Sequence, residues 1–244
     1  MIDFVKKLIA RLYELLCPVK SVRKQMRACR KLAKLQRSNS IEIAPEDLQR
    51  VSLRVSGRDN MIKIGRLSGG GRVTILIHGD ENDITIGEGV AVADELLIVA
   101  GITPSNFGPV RDVHISIGQG TSFENTRIQT FNSHARIDIG ERCMFSYGIN
   151  VYQTDGHPVL SVETGEVLNK VRDMKIGNHV WVGAQATITK NVSIGDDCIV
   201  GWGAVVSRSF PEPNCAIAGN PATVIRRGVT WDANGARHGY IDNE

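Results

Sequence analysis

The residues best suited to move protons in this chain are its six histidines, because a histidine side chain titrates near neutral pH, at about 6.5. His134, His157 and His179 follow one another at separations of 23 and 22 positions. A zinc enzyme built on three histidine ligands would need two of them close together in sequence. The spacing therefore argues against a metal-dependent hydratase, and we predict no metal site.

The cysteines and a glycine-rich run point away from two other kinds of site. The five cysteines are odd in number and form no Cys-x-x-Cys pair, which favours reduced thiols. Together with the lack of a secretory signal pattern, this predicts a cytoplasmic location. Residues 68–71, Ser-Gly-Gly-Gly, lack the Lys-Ser/Thr pair and the following helix of a phosphate-binding loop, so we interpret them as a turn.

One stretch that contains a histidine interrupts an otherwise regular pattern. Residues 154–173 are twenty positions without any repeat, and they include Asp-Gly-His-Pro at 155–158. An unpatterned loop of this length inside a repeat is usually functional or disordered. We therefore expect an excursion loop, which leaves the regular structure and carries His157.

The regular pattern is a hexapeptide repeat over residues 176–210. Glycine follows the first residue in four of its six blocks, a small or β-branched residue is fifth in five of them, and an aliphatic residue opens each block: Ile176, Val182, Ile188, Ile194, Val200 and Val206. Such a repeat predicts stacked coils of parallel β-helix, because no coil can bury its inward face alone. Cys143 and Cys198 are fifth in their blocks, which predicts that they fill the core.

Residues 1–37 have a different composition from the rest of the chain. They carry eleven Lys or Arg and two acidic residues, a net charge of +9 against −6 for the remainder. Apolar residues at helical spacing predict an amphipathic helix ending at Pro18, followed by a more basic helical stretch. This segment would either bind an anionic membrane surface or pack its apolar stripe on the β-helix or on a partner helix. Nucleic-acid binding is not expected, since no base-reading motif accompanies the charges.

The predicted organisation is an all-β chain with a helical attachment. Residues 1–40 form the basic amphipathic segment, residues 41–225 the β-helix, and residues 226–244 a C-terminal tail that is mobile or lies on a neighbouring subunit. Residues 38–45 are expected to be a polar connection, and short strands in loose register are expected from residue 51.

Three motifs in this order are together far more specific than any one of them: Asp-Gly-His-Pro at 155–158, Val-Trp-Val-Gly at 180–183 and Ala-Gly-Asn-Pro-Ala at 218–222. Over roughly residues 117–227 the chain resembles the hexapeptide-repeat acetyltransferases of the maltose and galactoside type and their relatives acting on capsule and O-antigen sugars. The resemblance implies a left-handed parallel β-helix, against the usual right-handed crossover. It also implies a homotrimer that binds acetyl-CoA between neighbouring subunits.

The resemblance also implies roles for particular residues. His157 would be the general base, Asp155 the carboxylate that orients it, and either Asn132 or a backbone N–H the donor to the oxyanion. His179 is the second choice of base. The residues implied in acetyl-CoA binding are Trp181, Ala184, Trp202, Ser207, Arg208 and Arg226.

The implied function is acetyl-CoA-dependent O-acetylation of a sugar hydroxyl, on a surface or capsular polysaccharide or its precursor. One base can suffice, because the thioester releases a thiolate whose conjugate acid has a pKa of about 8.5. Two alternatives remain open: N-acetylation of an amino sugar or an antibiotic, and a non-catalytic β-helix scaffold. If residues 1–37 bind lipid, the cytoplasmic enzyme would contact the inner face of the membrane.

Overall fold

The computed structural model describes residues 20–101 and 108–234. Helix α1 spans Lys20–Leu35 and a short 3-10 helix spans Pro45–Asp47; the predicted helix before Pro18 lies outside the described residues. Of the described helices, none combines the length and apolar composition that crossing a bilayer requires. Strands β1 to β20, numbered within this part of the chain, are Ser40–Ile43, Val51–Ser56, Met61–Ile64, Arg72–Asp80, Asp83–Ile86, Ala91–Ala100, Val110–Arg111, His114–Ile117, Ser122–Thr130, Arg136–Ile139, Met144–Phe145, Ile149–Tyr152, Met174–Ile176, Trp181–Val182, Thr187–Thr189, Ser193–Ile194, Ile199–Val200, Val205–Val206, Cys215–Gly219 and Ala222–Arg227.

Seven short strands, β1, β3, β5, β8, β10, β13 and β16, stack in chain order as one parallel side of the β-helix. Each strand contributes at least one buried apolar residue, and in β3, β5, β8, β10 and β13 these residues stand at alternate positions, as in a half-buried strand. Side chains at matching positions form a continuous column through the core: Ile41, Ile62, Ile84, Ile115, Ile137 and Met174. All six are buried, so the coils share one hydrophobic core.

The remaining strands form the other sides of the prism. In the first coils these sides merge into the long parallel strands β2, β4, β6 and β9. From β9 onward they separate, because β9 pairs with both β11 and β12 of the next coil. The strict short-sided coils therefore begin only in the second half of the chain.

The hexapeptide prediction is confirmed over residues 176–210, since all six block-opening residues are buried. Where glycine follows an opening residue, the next coil lies too close for a side chain. At Gly140, for example, a Cβ would lie 2.5 Å from the carbonyl oxygen of Gly177.

The cysteines predicted as core are also buried. Burial raises the pKa of the Cys143 thiol to about 11 and raises that of Cys198 as well, so both thiols are protonated at neutral pH.

The prediction for residues 38–45 was wrong, because strand β1 pairs there in register with β3. From residue 51 the six-residue frame is loose, as expected, but β4 and β6 are longer than the short strands predicted there. The pairs β2–β4 and β3–β5 have no register shift. In these coils, asparagine side chains form a ladder from coil to coil. Nδ2 of Asn82 donates to Oδ1 of Asn60 at 2.8 Å, and Nδ2 of Asn60 donates to Oδ1 of Asn39 at 2.8 Å. Side-chain amides stacked in this way satisfy one another inside the coil corners.

Both ends of the described β-helix are covered. At the first coil, Leu32 and Leu35 of α1 pack against the core, and the Gln36 side chain donates to the carbonyl of Ile41 at 2.8 Å. At the last coil, β20 pairs antiparallel with β19. The parallel stacking therefore stops at a helix on one side and at an antiparallel strand on the other.

Candidate active site

The excursion loop predicted at residues 154–173 leaves the β-helix between β12 and β13 and folds into a small hairpin. An antiparallel bridge joins Leu160 and Val167, and the Leu168 amide donates to the Val159 carbonyl at 2.8 Å. Several large apolar side chains of this hairpin are exposed, including Val162, which is fully exposed at 102%, and Leu168 at 64%. The apolar surface of this loop is therefore available for contact with another molecule.

His157 is exposed at the start of this hairpin. Asn169, near the other end of the loop, donates from Nδ2 to the His157 carbonyl at 2.9 Å and to Oδ2 of Asp155 at 2.6 Å. The same carboxylate oxygen lies 3.2 Å from Nζ of Lys190. Asp155 and Asn169 thus fold the backbone around His157 into a closed turn.

Asn132 lies at the corner after β9 and is connected to the base of the excursion loop through Thr130. The Thr130 hydroxyl accepts from the backbone N–H of Asn132 at 3.2 Å and donates to the backbone carbonyl of Gln153 at 3.1 Å. The side-chain oxygen of Asn132 is buried and has no hydrogen-bond partner among the described residues. This oxygen can therefore accept a further hydrogen bond.

A separate cleft contains three of the residues predicted to bind acetyl-CoA. Trp181, Ala184 and Trp202 line a space of about 290 Å³ together with Glu124, Ser146 and Tyr147. Tyr147 and Trp202 meet edge to face, with ring centroids 5.4 Å apart, and Trp202 is 64% exposed. The cleft therefore offers aromatic walls to a long, partly apolar ligand.

Coil register explains why these residues meet. Strands β11, β14 and β17 are stacked, with Met144 opposite Trp181 and Trp181 opposite Ile199. Three positions further along each coil stand Tyr147, Ala184 and Trp202. Sequence reasoning missed Tyr147, although its place in the register was the available signal.

The other residues predicted to bind acetyl-CoA lie elsewhere. Ser207 and Arg208 follow β18 at the next corner and are exposed, and Arg208 lies over the ring of Phe210 at 5.5 Å. Arg226 is exposed on β20. None of these three residues is among the described residues that line the cleft under Trp202.

His179, the second choice of base, is engaged in a structural contact. Its Nδ1 lies 2.8 Å from Oδ1 of Asp197, and its ring stacks on Trp231 with centroids 4.4 Å apart. Trp231 also donates to the His179 carbonyl at 2.8 Å and lies 6.2 Å from the ring of Trp181. The described start of the tail thus lies on the β-helix of its own chain, beside the aromatic cleft.

A comparison with protein families places residues 173–208 in a model described as bacterial transferase hexapeptide (six repeats). The chain is 34% identical over 187 residues to the polysialic acid O-acetyltransferase of Neisseria meningitidis, covering 72% of this chain and 86% of that protein. It is 30% identical over 125 residues to the galactoside O-acetyltransferase of Escherichia coli K12, of which it spans 58%.

Two solved structures have the same fold. The polysialic acid O-acetyltransferase OatWY superimposes with a TM-score of 0.53 and 30% identity, over 75% of this chain and 92% of that one. The polySia-specific acetyltransferase NeuO gives a TM-score of 0.59 at 23% identity, over 76% of this chain and 90% of that one. These likenesses confirm the left-handed parallel β-helix.

Proposed function

This chain belongs to the hexapeptide-repeat acyltransferases, and we propose that it transfers the acetyl group of acetyl-CoA to a polysaccharide hydroxyl, with His157 as general base. The observation that carries this proposal is the position of His157. It lies on the longest excursion from the coils in the described chain, in a turn closed by Asp155 and Asn169. Membership of an enzyme family favours this function over the non-catalytic scaffold.

The proposed reaction needs few groups. The acceptor hydroxyl oxygen attacks the thioester carbonyl carbon while the imidazole of His157 takes the hydroxyl proton. The C–S bond then breaks, and the proton passes from the imidazolium to the departing thiolate. Asn132 or a backbone N–H would donate to the oxyanion, and Asp155 would orient His157 through the turn that it closes with Asn169.

A polysaccharide acceptor is favoured by the relatives, which are named for polysialic acid and for galactosides. Lys170 and Arg172 are exposed at the end of the excursion loop, and Lys190 lies under its start. The same loop also carries four acidic residues and Lys190 pairs with Asp155, so the names of the relatives, and not the charge of the loop, carry our proposal of O-acetylation of a glycan such as polysialic acid. The alternative, N-acetylation of an amino sugar, is tested by the amino sugar included in the assay below.

We further propose that acetyl-CoA binds between the subunits of a homotrimer, with Trp181, Ala184 and Trp202 along the acetyl and pantetheine part. The nucleotide part of the same acetyl-CoA molecule would contact Ser207, Arg208 and Arg226. The exposed apolar side chains of the excursion hairpin support this assembly, because a neighbouring copy would cover them. Light scattering on the purified protein tests it, and a monomeric mass would contradict it.

For residues 1–37 we propose peripheral contact with the anionic inner face of the cytoplasmic membrane. In α1, the apolar side chains of Leu32 and Leu35 pack on the core. The basic side chains described in and just after this helix are all exposed: Arg27, Arg30, Lys31, Lys34 and Arg37. Packing the apolar stripe therefore leaves a cationic face outward, where each charge near lipid is worth about 1 kcal/mol.

The decisive experiment compares His157→Ala with the parent chain for release of CoA in the presence of polysialic acid, a neutral galactoside and an amino sugar. General-base catalysis contributes about 10²- to 10⁴-fold, so a loss of that size with polysialic acid is expected. His134→Asn is the matched control, since His134 is an exposed histidine at a coil corner with φ of 59°. Undiminished transfer by His157→Ala would remove His157 from the reaction.

A further inference from the structure

The base of the excursion loop is closed by side chains that belong to the coils. Gln153, the residue before the loop, is fully buried. Its Nε2 donates to the carbonyl of Arg172, at the far end of the loop, and its Oε1 accepts from the backbone amide of Asn191 at 3.0 Å. One buried amide thus links the start of the loop, its end and the coil beneath.

Asn191 adds a second closure at the same place. Its side-chain oxygen accepts from the Arg172 amide at 2.5 Å, and its Nδ2 donates to the Lys170 carbonyl at 2.9 Å. The preceding coil residue, Lys190, holds the other side of the loop through its ion pair with Asp155. The turn at 190–191 therefore contacts both segments of chain that form the neck of the loop: the outgoing segment at Asp155 and the returning segment at 170–172.

These contacts matter because the loop itself is largely exposed. Most residues between 154 and 173 are exposed, so the loop gains little from burial. Without anchors at its neck, it would sample many directions, and fixing it would cost conformational entropy at each turnover. Gln153 is buried, and its two hydrogen bonds are partly shielded from water, which strengthens them relative to exposed ones. Together with the two more exposed bonds of Asn191, they can fix the direction in which the loop leaves the prism.

We propose that Gln153 and Asn191 are positioning residues that set where the excursion loop presents His157. The proposal rests on the proposed function, since it assumes that His157 acts on the substrate. Neither side chain would touch substrate. A shift of about 1 Å in a reacting group can reduce the rate by about 10²-fold, so a loosened neck lowers kcat without weakening acetyl-CoA binding.

Asn191→Gly tests this most cleanly. Asn191 has φ of 63°, a conformation that glycine adopts without strain, so the variant loses the side-chain bonds and keeps the backbone. We expect kcat to fall about 10- to 100-fold, while KM for acetyl-CoA and the pH of half-maximal kcat stay at parental values. Asn191→Asp keeps the acceptor for the Arg172 amide and should recover part of the rate.

A readout independent of activity comes from trypsin, which cleaves after Lys170 and Arg172. The carbonyls of these two residues are the ones held by Asn191 and Gln153. Cleavage at both bonds should therefore be at least about fivefold faster in Asn191→Gly and in Gln153→Met, through local opening. Asp59→Gly is the control, because Asp59 occupies a coil corner with φ of 57° far from the loop in sequence.

The outcomes separate this proposal from the one before it. Parental kcat in both Asn191→Gly and Gln153→Met overturns the positioning role, whether or not trypsin cleaves faster. A fall in kcat that merely follows a lower unfolding temperature, reproduced by Asp59→Gly, overturns it too. If His157→Ala keeps full activity, the proposed function fails instead, and faster cleavage at residues 170 and 172 would then report only the anchoring of the loop.

Discussion

Nζ of Lys190 lies 3.2 Å from Oδ2 of Asp155, so an ion pair joins a coil turn to the turn that carries His157. The Lys190 side chain is 17% exposed and that of Asp155 is 40% exposed. A pair so accessible to water contributes about 0.2–1 kcal/mol to stability. Its main consequence is therefore geometric, because it restrains the loop next to the proposed base.

Asp155→Asn is expected to lower kcat about three- to tenfold, since the amide can still accept from Asn169 but no longer pairs with Lys190. The inflection of the pH–rate profile should stay in place, because Asp155 acts through the turn. Steady-state kinetics from pH 5 to 9 measure both. An inflection moved to lower pH would instead mean that the carboxylate stabilises the imidazolium directly.

Asp112 predicts a pH dependence of stability. Hydrogen bonds from His134 at 2.9 Å and His114 at 3.1 Å lower the pKa of its carboxyl below the usual 3.8. Its stabilising contribution is therefore complete above about pH 5 and is lost as pH falls through the lowered pKa. The difference in Tm between the parent and Asp112→Asn should be present at pH 7 and 5 and should shrink progressively as the pH falls below about 4. A difference unchanged at pH 2 would contradict this.

Gly140→Ala is expected to destabilise the β-helix by about 1–3 kcal/mol, because the added methyl would overlap the backbone of Gly177 in the next coil. Gly70→Ala is the matched control, since no atom lies within 4 Å of a Cβ there and its φ is not positive. Its effect should stay within about 0.5 kcal/mol. Urea unfolding measures both, and equal stabilities would refute the steric explanation.

The exposed cations of α1 predict lipid binding. Replacing Arg27, Lys31 and Lys34 by Gln should weaken binding to phosphatidylserine vesicles about 100-fold, at about 1 kcal/mol for each charge. The control replaces Arg54, Arg58 and Lys175, which are exposed cations on the β-helix. Vesicle flotation at physiological salt distinguishes the two. Equal losses in both triple variants would show only a dependence on total charge.

The sequence predicted the fold best where every coil side is six residues long. From Ile176 to Val206 the period alone identified the inward residues, and the structure buries them. In the first coils, long strands such as β4 merge two sides, and the Asn60 and Asn82 ladder fills corners with amides. A period of six is absent there, so the pattern could not reveal strand β1.

The site was accessible to sequence reasoning only in part. Trp181, Ala184 and Trp202 were placed by resemblance, and the structure brings them together in one cleft. Their role in binding acetyl-CoA stays a prediction, as does that of His157. The neck of the loop was missed because Gln153 and Asn191 are 38 positions apart and meet only through the stacking of coils. Trp231 was missed as well, although an aromatic residue in a polar tail was a signal.

The two ends of the prism bear on the risk that coils of different copies pair with one another. An open coil presents unpaired parallel strand edges, and such edges can recruit identical coils from other molecules. Here α1 packs on the core at the first described coil, and β20 pairs antiparallel with β19 at the last one. Among the described residues, these two elements therefore occupy edges at which a coil of another copy could otherwise add a parallel strand.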